Sequence, residues 1–266
     1  MGIVRWFVVL AVMGCGRSGF DVTDADSTTN DVSATQYRNA VLADDPAAYF
    51  RLGEPAGPYA SSEAPGAPPG IYTTTNDMIR YGLAGATGDG DTAVQFDGVG
   101  NLVLPTEEIA LLDIDPLRTT FDGDFTVEGL IYPIGIPTAE SPYSFLVCEN
   151  YMNNGFRTGW QSSMRLRVWN DEAGGSTSLT SQLVLAPDRW QHVAITKAGT
   201  TIAMYIDGVD AGTGNMPDYT PADSLAECGI GSFHGMPSHG IFDELAIYTT
   251  ALSAARVAAH AQLAVH

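Results

Sequence analysis

The carboxylates are the residues best suited to chemistry, and their spacing argues against a glycosidase. A retaining glycosidase sets two carboxylates ~5–5.5 Å apart. Alternate residues of a strand share a face, so Glu-x-Asp is a spacing that would serve. No glutamate in the chain has an aspartate two residues later, and Glu128, inside an apolar run, is followed by Gly129-Leu130. A Gly-x-Ser-x-Gly elbow is also missing from the sequence. The chain therefore reads as non-enzymatic. Cys228, His234, His239 and Asp243 fall in one short span, but their spacing matches no common zinc pattern. Gly235, Pro237 and Gly240 mark that span as loop. His192, close to Trp190, reads as structural. Tyr143, Tyr151, Asn153, Asn154 and Trp160 form an aromatic and amide-rich stretch. Such side chains stack on sugar rings and bond hydroxyls, or simply pack a loop; packing is the simpler reading and ligand binding the alternative.

Charge narrows the partners. The formal net charge is −19, from 31 acidic and 12 basic residues, and Lys197 is the single lysine. Binding a phosphate backbone needs clustered cations, so nucleic acid is excluded as a partner. The acidic surplus serves solubility, and a few of its carboxylates could coordinate a hard cation such as Ca²⁺.

The first residues read as an address. Arg5 precedes the apolar run Trp6–Met13, which is too short to span a bilayer as a helix. Val12-Met13-Gly14-Cys15 resembles the lipobox of bacterial lipoproteins. That resemblance implies cleavage after Gly14, acylation of Cys15 and stable anchoring by several acyl chains. Gly16 stands where an aspartate would imply retention in the inner membrane, so the expected location is the outer membrane of a bacterial envelope. Residues 15–36 are polar, have little to bury, and read as an acylated cysteine followed by a tether. Acylation of Cys15 would leave Cys148 and Cys228, the right number for one disulfide in an oxidising compartment. Two buried free thiols are the alternative.

These residues must be positioned by strands. Phe125–Tyr132, ended by Pro133, Ser144–Cys148, Met164–Trp169 and Ser178–Leu185 are short runs of strand character. Trp190–Thr196 and Thr201–Ile206 flank the turn Ala198-Gly199-Thr200, and Asp207-Gly208 begins a second tight turn. Ile241–Tyr248 alternates again, and Ser253 is a candidate N-cap for an alanine-rich helix. The reading is all-β, a two-sheet antiparallel sandwich or barrel with a short C-terminal helix, occupying residues 37–266.

In order, Pro46–Glu54, Gly88–Gly98, Phe125–Pro133, Trp190–Gly208 and Phe242–Ser253 resemble the laminin-G-like family. That family is a branch of the concanavalin-like lectin and glucanase jelly-roll sandwiches. The sequence departs from it in three places. Ser61–Gly70 is rich in Pro and Ala, Leu130 stands where tryptophan is common, and Arg256 stands where a helix-capping glutamate is common.

The resemblance implies a binding module for a carbohydrate or a protein, on a cell-envelope lipoprotein. A structural envelope protein without a small ligand is the alternative, and a glycoside hydrolase a distant third, because the glucanase Glu-x-Asp-x-x-Glu strand is missing. It also implies that Asp243 binds a structural Ca²⁺, joined by backbone carbonyls expected near Pro46 and Gly98. Tyr151, Asn153, Asn154 and Trp160 are the candidate ligand contacts.

Overall fold

The computed structural model describes residues 35–75, 77–98, 110–137, 143–150, 154–172, 175–216, 227–232 and 238–264. The leader Met1–Gly14, Cys15, Tyr151, Asn153 and His234 lie outside them, as does all but the end of the tether. No helix among the described residues is long and apolar enough to cross a membrane.

The chain opens with a helix over residues 35–43, α1. Six strands follow: β1 Ala48–Phe50, β2 Tyr59–Ala60, β3 Gly70–Thr74, β4 Ile79–Ala84, β5 Thr92–Gly98 and β6 Ala110–Asp113. A 3₁₀ segment, Asp115–Asp122, leads to β7 Phe125–Pro133, β8 Tyr143–Asn150, β9 Asn154–Trp160, β10 Leu166–Glu172 and β11 Gly175–Thr180. Then come β12 Gln191–Ala198, β13 Thr201–Ile206, β14 Val209–Asn215, β15 Glu227–Ser232, β16 Ser238–Tyr248 and the helix α2 Ala254–Ala264.

The strands form two antiparallel eight-stranded sheets. One has the order β14-β13-β12-β7-β16-β5-β4, with β1 also on β16; the other runs β11-β10-β9-β8-β15-β6-β3-β2. This is the expected jelly-roll sandwich. Its core lies between the sheets, where Phe125, Val127, Ile131, Val193, Ile195 and Phe242 meet Phe145, Leu146, Phe156, Trp160, Val168 and Ile230. Each such side chain is worth roughly 1.5–3 kcal/mol when fully buried, so the alternation of the strand sequences is the main term holding the layers together.

Several local expectations hold in detail. Asp207 and Gly208 both have positive φ (51° and 75°), the geometry a type I′ turn requires. The backbone amide of Arg256 bonds Ser253 Oγ at 3.3 Å, which makes Ser253 the cap of α2. Two strands are displaced from their runs. Met164 has φ 55° and precedes β10, and β11 ends at Thr180. The segment beyond passes from one sheet to the other: Ser181 N bonds Leu166 O, Gln182 N bonds Ala211 O, and Leu185 N bonds Met164 O. The Arg165 guanidinium holds the Ser181 and Gln182 carbonyls in that crossing.

The α1 helix is the element the strand pattern does not announce. Tyr37 and Val41, one turn apart, are fully buried against Tyr49, Leu130, Ala246, Tyr248 and Ala264. The first sheet is therefore covered on its outer face by α1 and α2. Leu130, the departure from the family's tryptophan, faces this second cluster.

Candidate functional site

Among the described residues no helix packs on the outer face of the second sheet, and one rung of residues crosses all eight of its strands. Tyr59 pairs with Ile71, Ile71 with Asp113, and Asp113 with Gly229. Gly229 pairs with Val147, Val147 with Arg157, Arg157 with Trp169, and Trp169 with Ser178. Their strand neighbours Ala60, Tyr72, Leu112, Ile230, Cys148, Phe156 and Val168 face the core, so the rung faces outward. Tyr59 is 58% and Ile71 41% exposed at one end. At the other end both Arg157 and Arg167 lie beside the Trp169 ring, 5.7 and 5.4 Å from its centroid, within cation–π range. Arg167 also donates to Ser178 Oγ at 3.1 Å. At roughly 4.8 Å per strand, Tyr59 and Trp169 stand about 29 Å apart, the span of a short oligosaccharide.

Directly behind the rung, Cys148 and Cys228 are register partners on β8 and β15 and form a disulfide. It joins the two central strands that carry Val147 and Gly229. Cys228 is thereby engaged in the disulfide and His239 meets Asp97, while His234 lies outside the described residues.

A second polar cluster lies where β16 bulges. Asp243 pairs with Leu130 and Ala246 with Glu128, so an extra residue is accommodated between them. Glu244 has φ 55° there, a conformation that costs a non-glycine residue energy and is kept only where its surroundings enforce it. Gly129 makes the bulge possible, because a Cβ on it would lie 2.5 Å from Leu245 Cδ2. The bulge buries both carboxylates. Arg51 Nε and Nη2 donate to Glu244 Oε1 at 3.0 and 2.9 Å, and the Tyr49 hydroxyl donates to Oε2. Arg51 also pairs with Asp89 and Asp91. Asp243 Oδ2 accepts the Ala86 amide at 2.8 Å, while Oδ1 is buried without a partner. Burial, against the opposing pull of Arg51, pushes the Glu244 carboxyl up to about 7. Burial and the Glu244 charge push Asp243 well above the usual carboxylate range.

The surroundings of Asp243 differ from those expected. Gly98 pairs with Ser238, five residues along the strand from Asp243, roughly 16 Å away. Pro46 precedes β1, whose partners begin at Ile247 and end at Leu245. A Cβ on Gly85 would come within 2.7 Å of the Asp91 carbonyl and 3.1 Å of Asp243 Oδ2. The backbone at Asp243 is therefore that of Gly85, Ala86 and Asp91, because the strand register carries Pro46 and Gly98 past it in opposite directions. Among the described residues no three acidic, histidine or cysteine side chains are grouped to hold a metal ion; what Asp243 offers a hard cation such as Ca²⁺ is one buried carboxylate oxygen without a donor beside the Asp91 backbone, while Asp89, Asp91 and Glu244 are paired with Arg51.

A third cluster lies beneath the helices. Glu128 is fully buried. Its Oε1 accepts the Tyr248 hydroxyl at 2.6 Å and His260 Nδ1 at 2.8 Å, and its Oε2 accepts His192 Nε2 at 3.1 Å. His260 Nε2 reaches Asp44 Oδ2 at 3.3 Å, and Arg256 Nε donates to the same oxygen at 2.7 Å. Burial alone would raise the Glu128 carboxyl, but the two imidazoles outweigh it and hold it well below its ordinary range. Burial alone would lower His260, but its bond to Glu128 and that charge raise it. His192 is thus structural, as the sequence indicates. Arg256, where the family's capping glutamate is absent, ties α2 to α1 through Asp44 and the Ala40 carbonyl.

Of the four sequence-predicted ligand contacts, Asn154 opens β9 and Trp160 is corrected. The Trp160 side chain is fully buried in the inter-sheet core, with Tyr143 edge-on at 5.8 Å, so its ring has no face to offer a ligand. The tryptophan on the outward side of the sheet is Trp169, which is 8% exposed and lies under the Arg157 and Arg167 guanidiniums. The sequence carried the signal for it: Arg167 and Trp169 are two apart on one strand and share a face.

The sequence matches the family model described as the concanavalin A-like lectin/glucanases superfamily, of laminin-G type, over residues 108–258. No curated protein matches it. Among solved structures it is similar to domain 4 of AbnA, an extracellular arabinanase from Geobacillus stearothermophilus, in complex with arabinotriose. That likeness has 17% identity and a TM-score of 0.58, and covers 82% of this chain and 98% of that one. It is similar to the Botulinum neurotoxin serotype G binding domain, at 11% identity and a TM-score of 0.56, over 82% of this chain and 51% of that one. It also resembles Trypanosoma rangeli sialidase in complex with sialic acid, at 10% identity and a TM-score of 0.55; the chain spans 37% of that protein and is covered over 86% of its own length. At such identities the structural likenesses speak to the fold alone, and the family match, over more than half of the sequence, assigns the chain to the laminin-G-like branch of the concanavalin A-like lectin/glucanases superfamily.

Proposed function

We propose that the chain is a carbohydrate-binding module, carried on an exported, lipid-anchored bacterial protein, whose ligand lies across the outer face of the sheet that ends in β2 and β11. One observation carries this reading: an outward rung through eight strands with Tyr59 exposed at one end, two guanidiniums lying on the largely buried Trp169 at the other, and side-chain-free Gly229 between Asp113 and the buried Val147. An exposed tyrosine offers a stacking face, glycine leaves room for a ring, and guanidinium and serine groups supply hydrogen bonds. The arabinotriose in the AbnA domain 4 complex is in keeping with a sugar ligand. The leader resembling a lipobox and the Cys148–Cys228 bridge are both in keeping with export to an oxidising compartment.

The proposed role is binding without catalysis. The two buried glutamates are engaged with protein groups: Glu128 by two imidazoles and a tyrosine, Glu244 by Arg51 and Tyr49. On the rung, Asp113 caps the 3₁₀ segment by accepting the Asp115 amide at 2.9 Å. A structural Ca²⁺ held by Asp243 Oδ1 and the Asp91 carbonyl belongs to the same proposal; it would fix the ends of β1, β4 and β5 around the bulge. The test is a glycan array probed with the purified mature protein, with and without Ca²⁺. Binding that is lost on Tyr59→Ala and Trp169→Ala supports the reading. Binding unaffected by both, or no glycan bound in either condition, overturns it.

A further inference from the structure

Five arginines of this domain, Arg38, Arg51, Arg80, Arg189 and Arg256, each face a carboxylate, as expected where 31 acids surround 12 bases, and Arg165 is taken up by two backbone carbonyls. Among the described residues Arg167 faces neither. Its contacts there are the Ser178 hydroxyl and the Trp169 ring, and its Nε is buried with no hydrogen-bond partner. A guanidinium held in place on a sheet face with donors to spare is short of an acceptor. Arg157 lies on the neighbouring strand, diagonal to Arg167 because Arg167 pairs with Gly159. On one face such diagonal residues are roughly 7–8 Å apart, and both guanidiniums lie against the same indole.

From this geometry we infer that the Trp169 end of the face recognises a sugar bearing a carboxylate, a uronic acid, with Arg167 as the principal anion contact. The inference rests on the carbohydrate-binding reading above and names the ligand's chemical class. A planar carboxylate matches the guanidinium fork, which makes two parallel bonds to it. The indole fixes the fork before the ligand arrives, so little ordering is left for binding. Net charge sets the ligand's size. A chain of −19 repels a long polyanion, whose charges extend beyond the ~8 Å screening length. One carboxylate seated on the Arg167 fork is attracted locally. The ligand is therefore a short or sparsely charged saccharide.

The experiment is calorimetric titration of the mature protein with glucuronic acid, glucose and polygalacturonate, repeated for Arg167→Gln and Arg167→Lys. The expected result is that glucuronate binds at least tenfold more tightly than glucose. R167Q should erase that preference, and R167K, which keeps the charge and loses the fork, should keep part of it. Unchanged unfolding temperatures of both variants establish that the fold is intact. Glucose and glucuronate binding alike sinks the acidic class and leaves sugar binding standing. A preference that survives in R167Q sinks the role of Arg167. Binding of neither sugar sinks both readings, and tighter binding of polygalacturonate overturns the limit on ligand size.

Discussion

Glu128 and His260 meet at 2.8 Å beneath both helices, with neither side chain exposed. A charged pair in that position is costly to desolvate and is tolerated because its remaining lone pairs and protons are used: His192 and Tyr248 complete Glu128, and Asp44 completes His260. Removing one partner leaves the other buried and uncompensated. Glu128→Gln is expected to cost about 3–5 kcal/mol, read as a lowered midpoint in urea unfolding. Replacing His260 by Gln should cost less, because Tyr248 and His192 remain on Glu128. A Glu128→Gln loss under 1 kcal/mol would show that the cluster does not hold α1 and α2 to the sheet.

The same cluster gives a pH dependence whose sign can be worked out. Glu128 is held below its ordinary value of 4.5, so its contribution is present above that pH and fades as pH falls through the lowered folded value. His260 is held above its ordinary value of 6.5, so its contribution is full below that pH and is lost as pH rises through the raised folded value. The stability difference between wild type and Glu128→Gln should therefore be greatest between about pH 4.5 and 6.5 and shrink on both sides. Urea midpoints measured from pH 3 to 9 provide the check; a difference that is flat across the range contradicts it.

How this cluster arises shows what was legible in the sequence and what was not. Strands such as Phe125–Pro133 could be read because one alternating run dictates one extended segment. The rung from Tyr59 to Ser178 could not, because it depends on the register of seven strand pairs, and register is set by long-range pairing. Nor could Glu128 be assigned its partners, which come from β12, β16 and α2. Asp243 was legible as an acid of the closing strand, but its burial and its backbone neighbours were not, since the bulge and the register select Gly85 and Asp91. The two-residue spacing of Arg167 and Trp169 puts them on one face of a strand, but only the pleat of the folded sheet decides that Trp160 enters the inter-sheet core and Trp169 does not.

Calcium at Asp243 makes a separable prediction. With a cation on Oδ1, chelator should lower the unfolding temperature of wild type, and added Ca²⁺ should restore it by mass action. Asp243→Asn should melt at one temperature with or without Ca²⁺. An unfolding temperature of wild type that ignores both chelator and Ca²⁺ counts against the ion, and would leave the Oδ1 of Asp243 as an unsatisfied acceptor.

The disulfide supports the outward face from behind. Its two cysteines are 80 residues apart, so the loop it closes restrains the unfolded chain by up to about 4.5 kcal/mol in the chain-entropy picture. Reduction, or Cys148→Ser with Cys228→Ser, should lower stability by a part of that amount. Ligand affinity should fall less than stability does, because β8 and β15 remain paired by their own backbone ladder.

The address at the start of the chain is tested by fractionation. If Cys15 is acylated, the full-length protein expressed in a bacterium should sediment with membranes and partition into detergent. Cys15→Ser should then appear in the soluble periplasmic fraction. The physical ground is the free energy of burying acyl chains, ~0.8 kcal/mol per CH₂, which no contact from the short polar tether could replace. A Cys15→Ser protein that still sediments with membranes would mean that the folded domain itself binds the envelope. The outward face proposed to bind glycan would then be the first surface to mutate, with Tyr59→Ala and Trp169→Ala in the Cys15→Ser background expected to set the protein free.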